Sequence, residues 1–376
     1  MFPTSHVAPT CVYGRKLPLS HTNGHRMQCG KLRRYVKKVE NMIPSISKTF
    51  ILDKPVIYAD LNVFRYIAYN ELQIVEPDRF IWVYSDIHLD EIHRNGNTDA
   101  IEGMQFLKAQ EVKDVLDNKF RSVGDVQIIP YVDPKERYES YVETVSGSEE
   151  TVSLFIEPLL TIFGANNLQE LSQTPQKIIE TVDRLTADAD KPVREIIQER
   201  AKQASDDMSQ SISEKLNKQF PIDKTRNAIG MTSEERKRLE GEVSPIEAIW
   251  DLIEPAMGGQ DIDVMLGLSP NPYVEKFPHT QHGAITSAHT ILNLIGYSPD
   301  TKLSNRQKIR NILSDADHVG MASYCQGLLS SDIRLCNKAQ AIYQYVELKT
   351  NALHFFYDKN GVEVNLKIRR SSENAT

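Results

Sequence analysis

Four acidic residues in this chain stand where their side chains could meet. Asp60 directly follows the apolar run Val56–Ala59, and Asp332 closes a second short run, residues 327–331. An apolar stretch of this length, bounded by polar residues, is the pattern of an inner strand in a parallel sheet. Ligands of open α/β sheets sit beyond the carboxyl ends of such strands, where both aspartates would stand. Glu91 lies about two turns into a helix that follows a third apolar run, residues 80–84. Asp315 reads as opening a helix ahead of the Asp332 strand. Carboxylates gathered in this way repel one another unless a cation neutralises them. Hard divalent ions such as Mg²⁺ and Mn²⁺ take oxygen ligands of this kind and keep waters of their own. Two such ions can activate a water and stabilise the leaving oxygen of a phosphodiester. The competing use of Asp60 is a helix N-cap or an Asx-turn, both common for aspartate after a strand.

The elements that must position these residues alternate. After the Asp60 strand, residues 62–72 read as a helix with Val63, Tyr66 and Ile67 along one side. Residues 80–84 form the next strand, and Ser85 is the N-cap of a helix that continues through His93. Strand, helix, strand, helix is parallel βαβ construction. Residues 99–119 carry an amphipathic pattern, and residues 126–132 are a third strand candidate. From 134 to 297 the period is helical, with stripes at residues 152–163, at Ile178, Ile179, Val182 and Leu185, and a thinner one from Val193 to Leu216. Residues 221–245 read as charged loop, with further breaks at Gly258, Gly259, Pro270 and Pro272. Helices are expected over 282–297, 305–325 and 333–345. Residues 362–368 alternate like an edge strand, and Asn360-Gly361 is a hairpin signal that pairs them with residues 353–357.

Composition bounds the function. Charged residues at 25% and hydrophobic ones at 40% fit an ordinary soluble globular protein. No run reaches the length of a membrane span, so no membrane partner is expected. A formal charge of −7 argues against coating nucleic acid by bulk electrostatics, though not against gripping it through a local basic patch. Cysteines at 11, 29, 325 and 336 have no CxxC spacing, which suits free thiols in a reduced, cytoplasmic setting. Residues 1–42 are basic, with Glu40 their one acid, and read as a disordered extension or as sequence upstream of a true start at Met42. The alternative is a basic arm that touches nucleic acid. His282 and His289 share a helical face but are seven apart, whereas metal-binding pairs sit three or four apart, so they read as core or surface histidines.

The acidic stretches together resemble a known family. Ile57-Tyr58-Ala59-Asp60-Leu61-Asn62-Val63-Phe64 is similar to the opening motif of PIN-domain nucleases, a hydrophobic strand followed by Asp-x-Asn. Ser85 through Glu91 resembles their second motif, and Ser314-Asp315-Ala316-Asp317-His318-Val319-Gly320-Met321-Ala322 their third. Leu328-Leu329-Ser330-Ser331-Asp332-Ile333-Arg334-Leu335 resembles the fourth, a strand ending in Thr or Ser, a variable residue and Asp. The likeness covers roughly residues 51–132 and 301–350. It implies a PIN-like three-layer α/β fold around a central parallel sheet, built from residues 43–132 and 301–368. Residues 133–300 would be a large all-helical insertion, a lid, platform or partner surface, and 369–376 a tail.

The resemblance also implies roles. Asp60, Glu91, Asp315 and Asp332 would ligate Mg²⁺ or Mn²⁺ directly or through water, and Asn62 and Ser330 would orient ligands or waters. Asp90 competes with Glu91, and Asp317 with Asp315. His318 would contact phosphate or hold its helix in place, and Arg334 would contact phosphate. The implied activity is that of a metal-dependent endoribonuclease on single-stranded RNA, RNA before DNA, with toxin or defence roles among its settings. The alternative is an inactive PIN-like scaffold that binds RNA or protein. The helical insertion would take a regulatory protein or a second copy of the chain. Phosphoryl transfer with Asp60 as nucleophile lacks both an Asp-x-Asp and a Gly-rich phosphate loop.

Overall fold

Val56–Ala59 forms strand β1, and all four of its residues are buried. A strand with no exposed side chain has to be covered on both faces, and β1 lies inside a six-stranded sheet of a computed structural model. The structure describes residues 50, 52–118, 122–130, 132–145, 168–187, 190–215, 222–270, 279–300, 306–358 and 361–366. The basic extension 1–42, the stripe at 152–163 and the tail 369–376 lie outside the described residues.

In chain order, β1 leads into α1 (Leu61–Ala68), β2 (Leu72–Ile74), β3 (Ile81–Tyr84), α2 (Asp86–Asn95), α3 (Asp99–Phe106), β4 (Gln110–Leu116) and β5 (Ser122–Ile129). The helical middle follows as α4 (Pro134–Val145), α5 (Leu168–Leu185), α6 (Lys191–Lys215), α7 (Ile222–Ala228), α8 (Ser233–Leu239), α9 (Pro245–Ile253), α10 (Ile262–Leu266) and α11 (Gln281–Ile295). The chain then gives α12 (Arg306–Ala322), β6 (Gly327–Ser330), α13 (Ile333–Tyr345), β7 (Asn351–His354) and β8 (Val362–Val364). The large sheet runs β5-β4-β3-β1-β6-β7, parallel throughout except for the antiparallel β4–β5 pair. The fold is thus α/β with a mostly parallel central sheet.

Helices cover both faces. Ile57 and Ala59 of β1, Trp82 and Tyr84 of β3 and Leu329 of β6 share a core with Leu61, Phe64 and Ile67 of α1 and Met104 of α3. Tyr58, one residue out of phase, turns instead toward α12, where its hydroxyl meets His318. Each fully buried large apolar side chain of such a core contributes roughly 1.5–3 kcal/mol relative to exposure.

Several expectations are corrected. The first helix stops at Ala68, because Asn70 takes a positive φ of 57° and turns the chain into β2. The amphipathic stretch 99–119 is one short helix and one strand, α3 and β4. The strand expected over 126–132 is Ser122–Ile129, and it folds back on β4. Residues 221–245 hold two short helices, α7 and α8, and α9 begins at Pro245. Asp315 does not open a helix but lies in the interior of α12. The C-terminal hairpin does not form. β7 pairs in parallel with β6, and β8 pairs in parallel with β2 as a separate sheet. Tyr357 accounts for the difference, since its ring stacks on Tyr66 at 4.2 Å and its hydroxyl donates to Glu71, carrying the chain toward β2.

α3 lies close against α1 because Gly103 has no side chain: a Cβ there would fall on the backbone carbonyl of Phe64. Gly103→Ala is therefore expected to cost about 1–3 kcal/mol through overpacking. Urea unfolding should show a lower midpoint with unchanged slope.

Candidate active site

The sheet order puts the carboxyl ends of β1 and β6 side by side while their chains leave in opposite directions, β1 toward β3 and β6 toward β7. Such a switch point leaves a crevice beyond the strand ends. The crevice is a cleft of ≈ 320 Å³ lined by Asp60, Asn62, Glu91, Asp315 and Asp332. All four sequence-predicted acids therefore reach one cavity. Their competitors do not line it. Asp90 bonds Arg94 at 2.7 Å and Tyr141 at 3.3 Å, and Asp317 faces His282 at 3.7 Å. These contacts select Glu91 and Asp315.

Asp60 occupies the N-cap position of α1, yet its side chain caps nothing. Its backbone N–H continues the ladder to Leu329, and its Oδ2 accepts a 2.8 Å hydrogen bond from Ser330 Oγ. Ser330 Oγ also accepts the Asp332 N–H at 3.0 Å, so one hydroxyl ties two of the acids together. The capping role falls to Asp332, whose Oδ1 accepts the N–H groups of Arg334 and Leu335 at 2.7 and 3.2 Å. Its other oxygen has no partner among the described residues.

Glu91 is held from below by a buried relay. His318 Nε2 lies 3.4 Å from Glu91 Oε2, and its Nδ1 lies 2.7 Å from the Tyr58 hydroxyl. Tyr58 is in turn 2.7 Å from Ser85 Oγ. A carboxylate only accepts, so the His318 proton facing Glu91 sits on Nε2. His88 is fixed in the same way. Its Nε2 donates to the Ala59 carbonyl at 2.8 Å, which leaves Nδ1 to accept the Ser85 N–H at 3.1 Å and close a capping box. His318 is completely buried, so it holds helix and carboxylate rather than touching phosphate. In the sequence Tyr58 and His88 do not stand out as supports, and Ser85 shows only as the N-cap. The signals available for them are a tyrosine within an otherwise apolar strand and a histidine three residues after the N-cap serine.

The electrostatics are uneven. Burial raises the Asp60 carboxyl, and nearby Glu91 and Asp332 add to this against His318 and Ser330. Asp315 is pushed well above the usual carboxylate range, by burial first and then by Asp60, Asp300 and Glu91. Burial also works to raise Glu91, but the His318 hydrogen bond and the charges of His318 and Arg94 outweigh it and hold it below. The cleft carries five carboxylates, Asp300 included, against two cationic side chains, Arg65 and Lys308. An all-oxygen donor set with excess negative charge fits Mg²⁺ or Mn²⁺. As placed, no three His, Cys, Asp or Glu side chains among the described residues form a metal-binding cluster, so a cation would have to draw the carboxylates inward.

The remaining predicted residues fall outside. Arg334 is exposed and does not line the cleft. His289 is buried with neither ring nitrogen bonded among the described residues, a core histidine kept neutral by burial and by Lys338. His282 instead lies 3.3 Å from Asp114 and 3.7 Å from Asp317. No protein-family profile matches the chain, and neither a curated protein nor a solved structure matches it.

Two outcomes follow from these charges. A carboxyl raised on folding loses stability as pH climbs through its folded value, so an isostere without charge should relieve the strain at neutral pH. Asp315→Asn is expected to raise the melting temperature in EDTA, by about 1–2 °C per kcal/mol relieved for a chain of 376 residues. A scan showing no rise or a fall would count against the repulsion. Burial works to lower His282, but Asp114 and Asp317 outweigh it and lift the ring to about 10. Its ion pairs therefore add stability that is full below about pH 6.5, the unfolded value, and fades as pH rises toward about 10. The stability gap between wild type and His282→Gln should close over that window in pH-dependent urea titrations.

Proposed function

We propose that the chain is a PIN-like, metal-dependent nuclease that hydrolyses phosphodiester bonds, RNA before DNA. One observation carries this reading. Four acids from four different elements, Asp60 after β1, Glu91 on α2, Asp315 on α12 and Asp332 after β6, line one cleft at the switch point of the sheet. The order of those acids along the chain is that of the PIN-like motifs.

Bound Mg²⁺ or Mn²⁺ would supply charge neutralisation and an activated water. Asp60, Glu91, Asp315 and Asp332 would hold it. Ser330 fixes the orientation of Asp60 through its donated hydrogen bond, and Asp332 is fixed by the helix it caps. The relay from Ser85 through Tyr58 and His318 holds Glu91 ionised and in place. Asn62, at the start of α1, presents an amide to the same cleft and suits a water or a substrate oxygen. Arg65 and Lys308 supply positive charge on its walls, suited to flanking phosphates. Backbone cleavage of this kind needs few contacts to the bases.

The second reading is a PIN-like scaffold that binds RNA or protein without cutting. Wild type and Asp60→Asn, incubated with end-labelled single-stranded RNA and DNA, separate the two. The nuclease reading expects cutting by wild type with Mn²⁺ or Mg²⁺, abolished by EDTA, and at least 100-fold slower in Asp60→Asn, on the order expected for loss of a key electrostatic group. RNA binding without cutting under any metal would leave the scaffold.

A further inference from the structure

Beyond the carboxyl end of β7 the chain presents aromatic rings near the end of β6, where Asp332 stands. β7 pairs with β6 so that His354 is level with Ser330, the residue that anchors Asp60. His354 Nε2 donates to the Ser331 carbonyl at 3.2 Å, which locks that ring one residue from Asp332. Phe356 stands edge-on to His354 at 4.8 Å and is 83% exposed. An isolated exposed phenylalanine is ordinary, but this one has a fixed partner ring and a fixed place beside the site. Tyr357, next along the chain, is pinned by its stack on Tyr66, so the backbone that presents Phe356 is tied at both ends. Ile333 is 48% exposed just past Asp332, and the neighbouring Arg334 is exposed with no ion pair among the described residues.

We propose that His354 and Phe356 form a stacking platform for an unpaired nucleotide adjoining the phosphodiester in the cleft, with Arg334 meeting its phosphate. The inference rests on the nuclease reading for the class of ligand and goes beyond it in naming the side chains that hold a base next to the cleft. A base in a duplex already has neighbours on both faces, so an exposed ring next to an anion-hydrolysing cleft rewards a strand whose bases are free. One exposed ring with an imidazole and a guanidinium nearby suits a nucleotide better than a protein partner, which would need a broad contiguous apolar face.

The test uses the full chain in an Asp60→Asn background with Mg²⁺, and fluorescence anisotropy of labelled twelve-nucleotide oligouridylate, its oligodeoxythymidylate counterpart and a blunt duplex. Phe356→Ala should weaken binding of the single strands by about 5- to 150-fold, the range for losing one base–aromatic stack. Phe356→Trp should bind as the parent does, while Phe356→Leu, which keeps an apolar side chain, should lose affinity like Ala. Duplex binding should not change. An unchanged melting temperature for the variants, expected from the exposure of Phe356, excludes a folding defect. Equal single-strand affinity in Phe356→Ala and its parent, a loss shared equally by the duplex, full retention in Phe356→Leu, or no binding by the parent would each overturn the platform. If wild type fails to cut but single-strand affinity still depends on the Phe356 ring, the nuclease reading falls and the platform stands.

Discussion

One hydrogen bond, from Ser330 to Asp60, joins residues 270 positions apart, and the candidate site depends on the strand pairing that makes it possible. The β1–β6 register sets Ala59 against Leu329, so the next residue of each strand emerges level with the other. A slip of one residue would turn Ser330 to the opposite face and take Asp332 with it. Register is strongly specified here because both strands are buried along their whole length. The apolar core of the sheet thus fixes the geometry of its most polar corner.

That corner accepts a cost in electrostatics. Proteins seldom bury carboxylates beside one another without a partner, since desolvation and repulsion both disfavour the charged forms. Each acid here is treated differently. Asp60 receives a hydroxyl, Glu91 an imidazole, and Asp332 the open end of a helix, whereas Asp315 receives no hydrogen bond among the described residues. Unequal support of this kind separates the roles of chemically similar groups. It also explains why His318 is sealed inside, where it compensates Glu91 most strongly because water does not screen the pair.

Much of this was legible in the sequence, for local reasons. The runs at Val56–Ala59 and Gly327–Ser330 are short and mostly apolar, and they read as inner strands because amphipathic alternatives have a different period. For the same reason Asp60 and Asp332 stand just past the ends of β1 and β6. What could not be read locally was partnership. The Asn360-Gly361 signal suggests a hairpin on its own, but the stack of Tyr357 on Tyr66 decides where that segment goes. Residues 99–119 mix helical and alternating periods because α3 and β4 sit side by side within them. Asp60 allowed a cap reading, yet its side chain caps nothing while Asp332 caps α13, because capping depends on side-chain rotation that spacing does not encode. The lining residues Asn95, Asn97 and Asn311 had no sequence signal, being polar residues of ordinary spacing on helices and turns.

The separation of β1 from β6 has a consequence for how the protein is made. Ribosomes add about 5–20 residues per second, so β1 emerges on the order of tens of seconds before the strand that must lie beside it. During that interval Asp60 lacks Ser330 and Asp332, and the cleft does not exist. Whatever chemistry the cleft performs is therefore withheld from the nascent chain until β6 is in place. The same delay leaves an apolar strand with an unpaired edge for an unusually long time. The helical middle, synthesised in between and rich in local contacts, can fold while β1 waits.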